Sequence, residues 1–360
     1  MEIDRKNSIA IIGCSGFIGS HLVDRLLSRS DIRVYGVDLA SDKIEHHRGN
    51  DQLTFIRADI HDLAAVRRVI APCSTVVLLA ALCNPSLYNT KTIEVIDVNC
   101  IDTIPLVRAC AEDGIRLVYF STSEVYGRTA ASLAGGSDRE NFLLAEDRSP
   151  FILGPVSAAR WSYACAKQLI ERVIEAFGRE HGLDYTIVRP FNFIGSRMDF
   201  LPGVDGEGVP RVLACFLGAL RSGSPLRLVD GGGNRRCFTA IGDAIDAIVT
   251  ILERAEPCRR QIFNIGNPTN ESTIADLARL MAGTWRRLVP GDIRPIRLEE
   301  VSSAEFYGPG YEDSDRRVPD IAKAQRLLDW QPKVDLARAI EQATAAFIDH
   351  YGCNSAGAKG

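Results

Sequence analysis

Short apolar runs alternate with longer amphipathic stretches along the first half of the chain. "SIAIIG", "RVYGVDL", "LTFIRADI", "STVVLLAA", "RLVYFSTS" and "YTIVRP" are nearly continuous in apolar residues, as strands buried on both faces are. Between them, helix-period patterns run from Phe17 to Ser28, around "LAAVRRVI", through "IPLVRACAED" and from Tyr163 to His181. Strand followed by helix, repeated, predicts an α/β fold: a Rossmann-like doubly wound parallel sheet with helices on both faces. After Pro190 the pattern breaks. Gly and Pro cluster in "GSRMDFLPGVDGEGVP", followed by one helix, a short strand "LRLVD" and the turn-like "GGGN". "FTAIGDAIDAIVTILERA" and "QIFNIGNP" then predict a helix and a strand that return to the main sheet. The expected organisation is a main domain over 1–190 with 236–265 returning to it, a smaller C-terminal lobe over 191–350, and a small, polar tail over 351–360 expected to be disordered.

Composition narrows the function classes. A chain of 360 residues, 46% hydrophobic, can fill a sizeable core. Its formal charge of -4, from 42 basic and 46 acidic residues, lacks the basic excess of a nucleic-acid binder but leaves room for local anion pockets. The N-terminal "MEIDRKNSIAIIG" carries charge where a signal peptide needs an apolar run, and no stretch approaches the roughly 20 apolar residues that cross a bilayer. Ten cysteines stand singly, with no CxxC pair and no metal-ligand spacing. The expectation is a reduced, cytoplasmic protein with neither a membrane nor a metal partner.

Between the first strand and first helix, "GCSGFIG" places Gly13, Gly16 and Gly19 at GxxGxxG spacing, with Phe17 and Ile18 opening the helix. Such glycines permit a tight turn, close approach of backbone N–H groups to a pyrophosphate, and close packing of helix on strand. The helix N-terminus then faces the anion. Asp38 ends the second strand, where a carboxylate can accept both ribose hydroxyls of NAD and would repel a 2′-phosphate. Arg33 and Lys43 lie nearby in sequence and keep NADP open.

In "RWSYACAKQ", Tyr163 and Lys167 stand at i and i+4, one above the other on a helix, about 6 Å apart at Cβ. A lysine beside the phenol can favour its anion and make it a base near neutrality. The same pair also occurs on ordinary exposed helices, so context decides. Upstream, "STSEVYG" ends a strand with Thr122, Ser123 and Glu124 at the carboxyl edge of a parallel sheet, where such sheets bind ligands.

Together, GxxGxxG, Asp38, the strand-end hydroxyl and Tyr-x-x-x-Lys resemble the extended short-chain dehydrogenase/reductases that act on nucleotide sugars. "GPVSAARWSYACAKQLIERVI", "VRPFNFIGSRMD", "LVDGGGNRRCFT", "FNIGNP" and "SSAEFYGPGYEDSDRRVPDI" are similar to two groups that take UDP-glucuronate: the decarboxylase domain of the bifunctional polymyxin-resistance enzyme and the plant UDP-apiose/UDP-xylose synthases. The resemblance implies that Thr122 orients the sugar hydroxyl, Tyr163 takes its proton, and Lys167 holds the nicotinamide ribose and lowers the tyrosine pKa. Hydride then passes from C4 to NAD, and the resulting β-keto acid loses CO2 from C5. It further implies that Arg317 faces the carboxylate, Glu124 and Ser123 flank the reacting carbons, Tyr88 and Tyr307 contact the sugar, and Asn192 and Arg236 bind the UDP portion. Asp59, Ile60 and Ala80 complete the expected cofactor set, and a homodimer is expected.

Apiose-forming relatives carry two cysteines near the sugar. This chain keeps Cys83 but has Ser123 where the second would stand, so UDP-xylose, UDP-apiose and released UDP-4-keto-pentose all remain open as products. Cys83 reads equally well as a small residue packed after a core strand, and the remaining cysteines are assigned to packing. Rival readings are a C4-epimerase or dehydratase of another nucleotide sugar, for which Arg317 would have no carboxylate to hold, and a non-catalytic dinucleotide-binding protein, which would have no need of Thr122, Tyr163 and Lys167 together.

Overall fold

The computed structural model describes residue 5 and residues 7–136, 138–206, 208–308 and 312–353. The strands, in chain order, are β1 (Ser8–Ile12), β2 (Arg33–Asp38), β3 (Leu53–Arg57), β4 (Thr75–Leu78), β5 (Arg116–Phe120), β6 (Leu143–Leu144), β7 (Tyr185–Pro190), β8 (Phe193–Ile194), β9 (Leu226–Val229), β10 (Arg235–Cys237), β11 (Thr239–Ala240), β12 (Gln261–Ile265), β13 (Glu271–Thr273), β14 (Leu298–Val301) and β15 (Arg316–Pro319). Seven form one sheet in the order β12-β7-β5-β4-β1-β2-β3, parallel at every pairing. The predicted doubly wound sheet is therefore present. β1 and β5 are buried along their whole length, which is why their sequences lack the alternation of a half-exposed strand.

Each face of this sheet carries its own apolar core. On one, Leu22, Val23 and Leu26 of the helix Phe17–Leu27 pack with Ile245, Ile248 and Ile251 of the helix Ile241–Glu253. On the other, Val66, Leu106, Ile170 and Ile174 come from the helices Leu63–Ile70, Thr103–Glu112 and Arg160–His181. A third core, with Phe216, Met281, Trp285 and Phe347, joins the helices Val212–Ser222, Ile274–Leu288 and Leu336–Tyr351. Among the described residues no helix is long and apolar enough to cross a membrane.

Strand order reverses between β1 and β4: the chain runs outward through β2 and β3 on one side and through β5 on the other. Ligands bind beyond the carboxyl ends of strands at such a reversal. Three expectations need correction here. Within 236–265, β12 joins the main sheet, but the strand spanning Arg236 does not: β10 lies between β13 and β15 in a four-stranded sheet ordered β13-β10-β15-β6. Three residues, "RRC", carry no readable period, so only tertiary pairing decides their sheet. The long helix also begins at Arg160, three residues before the predicted Tyr163; Arg160 is buried through ion pairing, so its inward position leaves no apolar signal in the sequence. The tail expected over 351–360 starts too early, because Tyr351 is half-buried and closes the helix Leu336–Tyr351; residues 354–360 lie outside the described residues.

Candidate active site

The glycine turn after β1 is built so tightly that side chains do not fit. Gly13 has φ +93°, and a Cβ there would stand 2.7 Å from the backbone nitrogen of Ala80. A Cβ on Gly19 would overlap the carbonyl oxygen of Gly13. Gly16 caps the following helix without a side-chain bond, leaving its first N–H groups facing outward. Asp38 closes the cradle at the end of β2. Its carboxylate accepts from Ser15 N at 2.8 Å and from Leu39 N at 2.7 Å, while burial pushes its pKa up against those bonds. Lys43, one of the two residues that left NADP open, spends its ammonium on the carbonyl of Arg197 at 2.8 Å. The other, Arg33, is exposed at the start of β2. Beyond β3, Ile60 is buried and Asp59 is paired with His61 at 2.5 Å.

Next to this cradle a cavity of about 890 Å³ opens over the carboxyl ends of the main sheet. Its wall includes Phe17 and Ile18 from the cradle, Cys83, Tyr88, Thr122, Ser123, Glu124, Tyr163, Lys167, Asn192, Arg236, Tyr307 and Arg317. Every residue expected to be catalytic or to bind substrate thus lines one space, although they come from segments more than 200 positions apart. Gly13, Gly16, Gly19, Asp38, Asp59, Ile60 and Ala80 lie outside that lining.

Thr122 caps the turn Ser123–Tyr126 by accepting from Glu124 N at 3.1 Å and lines the cavity with Tyr163. The Tyr163 ring stacks on Tyr88 with centres 5.1 Å apart and planes within 10°. The pKa expectation for this tyrosine needs correction. Burial pushes the Tyr163 phenol well above its ordinary value, Cys83 and Glu124 add to the rise, and the polar Thr122 hydroxyl opposes it. The Lys167 Nζ lies 6.0 Å from the Tyr163 ring centre and turns toward β5. There it donates to Tyr119 Oη at 3.0 Å and to Phe120 O at 3.1 Å. Burial lowers the Lys167 ammonium to about 8.

Opposite this pair lies a buried cluster of charges. Arg160 forms a two-pronged pair with Glu124, one bond at 3.0 Å, reaches Asp313 at 3.4 Å, and places its guanidinium 5.3 Å from the Tyr88 ring centre. Arg236 donates to Asp313 at 2.8 Å. Arg317 is held more loosely, at 4.0 Å from Glu124 and 3.6 Å from Asp313, and its Nε has no hydrogen-bond partner among the described residues. Burial, with Arg236 adding, lowers its pKa to about 10, against the pull of Asp313 and Glu124. Burial alone would raise the Glu124 carboxyl, but Arg160 and Arg317 hold it below its ordinary range, and the three arginines do the same for Asp313. Glu124 therefore pairs across the cavity rather than with neighbouring backbone. Among the described residues, the three guanidiniums of this cluster face two carboxylates, an excess of one positive charge.

Several neighbours sort as their strand positions dictate. Arg316 points to the other side of β15 and pairs with Glu271, while Arg317 points in. Asn192 sits at φ +39° and donates to Cys237 O at 3.3 Å. The carbonyl of Tyr307 accepts from Asn89 at 3.1 Å. Ser123 is buried, and Cys83 is exposed to the cavity rather than packed away. Cys165 is also exposed, against the expectation that it packs. Arg160, Asp313 and Tyr119 were missed by sequence reasoning. Arg160 had a signal, standing at i-3 from Tyr163 on the same helical face; Asp313, in the loop before β15, and Tyr119, buried within a strand, had none.

Comparison with known proteins agrees in extent as well as motif. The chain is 44% identical over 347 residues to UDP-D-apiose/UDP-D-xylose synthase 1 of Arabidopsis thaliana, covering 93% of this chain and 89% of that one. It is 45% identical to the UDP-D-apiose/UDP-D-xylose synthase of Oryza sativa subsp. japonica, with 93% and 87% covered. Among solved structures, the PbgP3 protein of Burkholderia pseudomallei superposes with a TM-score of 0.81 at 32% identity over 96% of this chain and 97% of that one. With the profile of that family matching residues 9–266, the chain belongs to the NAD dependent epimerase/dehydratase family.

Proposed function

We propose that this chain is an NAD-dependent decarboxylase of UDP-glucuronate that works through a UDP-4-keto-pentose and yields UDP-xylose, UDP-apiose or the released keto sugar. The observation that carries the reading is Arg317, buried, loosely paired and facing the same cavity as Tyr163. A substrate carboxylate would complete its coordination and cancel the excess charge. An epimerase or dehydratase acting on a sugar without a carboxylate would give Arg317 no anion of its own to hold. The names of the plant relatives agree.

The residues fit NAD. Gly13 and Gly19 leave no room for a Cβ where backbone must approach a pyrophosphate, and Asp38 keeps acceptor lone pairs beyond the two it gives to Ser15 and Leu39. Bound NAD supplies a two-electron acceptor and, in its oxidised form, a positive charge. The chain's own groups do the rest. Thr122 and Tyr163 receive the C4 hydroxyl, and Tyr163 takes its proton once a cation offsets the burial of the phenol. Arg317 orients the carboxylate for departure, and the Arg160–Glu124 pair keeps Glu124 ionised beside the reacting carbons. Ser123 in place of a second cysteine bears on product partition, with Cys83 the remaining thiol at the cavity.

The same reading includes a cytoplasmic homodimer. The ten cysteines are free thiols. Ile93, Ile101 and Leu169 are exposed on the packed helical segments Thr92–Ile96, Asp97–Ile101 and Arg160–His181, a face suited to a second copy. Purified protein incubated with UDP-glucuronate and NAD, followed by mass spectrometry, NMR and nicotinamide absorbance, tests the activity. Nucleotide pentoses lighter by one CO2 are expected; an unchanged mass with inverted C4 would favour the epimerase.

A further inference from the structure

We propose that Tyr119 is a positioning residue for Lys167, its buried hydroxyl anchoring the lysine against β5 in both of that lysine's protonation states. The proposal rests on the reading of Tyr163 and Lys167 as the active pair.

An ammonium has three N–H donors on a flexible four-carbon stem. Lys167 gives one to Tyr119 Oη at 3.0 Å and one to Phe120 O at 3.1 Å, and the third has no acceptor among the described residues. Two fixed donors on the sheet side present the third to a ligand in the cavity that Lys167 lines. The two anchors are not equivalent. A carbonyl can only accept, whereas a phenol accepts from an ammonium and can donate to a neutral amine. Tyr119 is 1% exposed, and Lys167 is the hydrogen-bond partner of its hydroxyl among the described residues. Loss of the lysine proton would therefore reverse that bond instead of breaking it. The distinction matters here because burial brings Lys167 to about 8, close to working pH. The other titratable groups facing it are Tyr163 and Glu171 on its own helix, Cys83 after β4 and Cys100 in Asp97–Ile101, with Tyr119 on β5.

The test is Tyr119→Phe, which keeps the ring and its packing. In protein labelled with 13C at lysine Cε, with the Lys167 signal assigned by its absence in Lys167→Met, the Lys167 midpoint is followed in wild type and variant. The variant loses a charge-assisted bond from the ammonium and a weaker neutral bond from the amine, so the midpoint should fall by the difference, about 0.5 to 1 pH unit. The alkaline limb of kcat for UDP-glucuronate should move down by the same amount, and the Kd for NAD should rise several-fold. A Lys167 midpoint unchanged in a folded variant overturns the proposal, whether or not the enzyme turns over that sugar. Absence of turnover in wild type would instead count against the decarboxylase reading.

Discussion

Arg317→Met separates the chemistry of the charge cluster from its cost to the fold. Arg317 is 5% exposed, so solvent screens its charge little. Its pKa sits at about 10 instead of 12.5 because burial penalises the charged form. At about 1.4 kcal/mol per pH unit, the charged guanidinium then costs the folded state about 3 kcal/mol. The folded pKa lies below the unfolded one, so this cost is present in full below pH 10 and is relieved only as the pH climbs toward 12.5. Methionine removes it, at a packing loss of about 1 to 2 kcal/mol for the smaller side chain. Glu124 and Asp313 keep Arg160 and Arg236, two charges against two. The variant should therefore melt at or above the wild-type temperature by calorimetry near pH 7. Its kcat/KM for UDP-glucuronate should fall at least about 100-fold, the value of a buried charge-assisted pair, while affinity for UDP stays within about threefold. A lower melting temperature together with equal losses for UDP and the uronate would refute the reasoning and make Arg317 a structural residue.

Three further outcomes follow from the same geometry. Tyr163→Phe keeps the ring stacked on Tyr88 and should retain NAD affinity while abolishing CO2 release; full activity by mass spectrometry would overturn the base assignment. Gly19→Ala places a methyl into Gly13 O and 2.8 Å from Cys14 Cα, so calorimetric titration should show NAD affinity reduced by about tenfold or more, and an unchanged Kd would mean the cradle is not the cofactor site. Glu124→Gln leaves buried guanidiniums without one of their two anions and should cost about 3 to 5 kcal/mol in urea melts at pH 7. Because the folded Glu124 pKa is held below 4.5, its stabilisation is present above that pH and lost as pH falls through the folded value. The gap between wild type and variant should close in acid, and a gap independent of pH would refute the ion-pair account.

What could be read from sequence divides along physical lines. Strands buried on both faces leave continuous apolar runs, and the glycine turn is local, so the sheet and the cradle were legible. β10 was not, since its partners β13 and β15 lie far along the chain. Helical spacing set Tyr163 and Lys167 on one face but could not say where a flexible stem would carry the ammonium. A desolvated Nζ goes where acceptors are, and those are Tyr119 and Phe120 on β5. The charge cluster shows the limit most clearly. An arginine in isolation reads as a solvated surface charge, and Arg160 was passed over within the very stretch that revealed Tyr163. The excess positive charge belongs to no single motif: it exists only where "STSEVYG", "RWSYACAKQ", β10 and β15 converge. Removal of either carboxylate should therefore disturb the fold, whereas removal of Arg317, the loosely paired cation, should disturb chiefly the chemistry. That asymmetry distinguishes a cluster built to receive an anion from one built to hold the protein together.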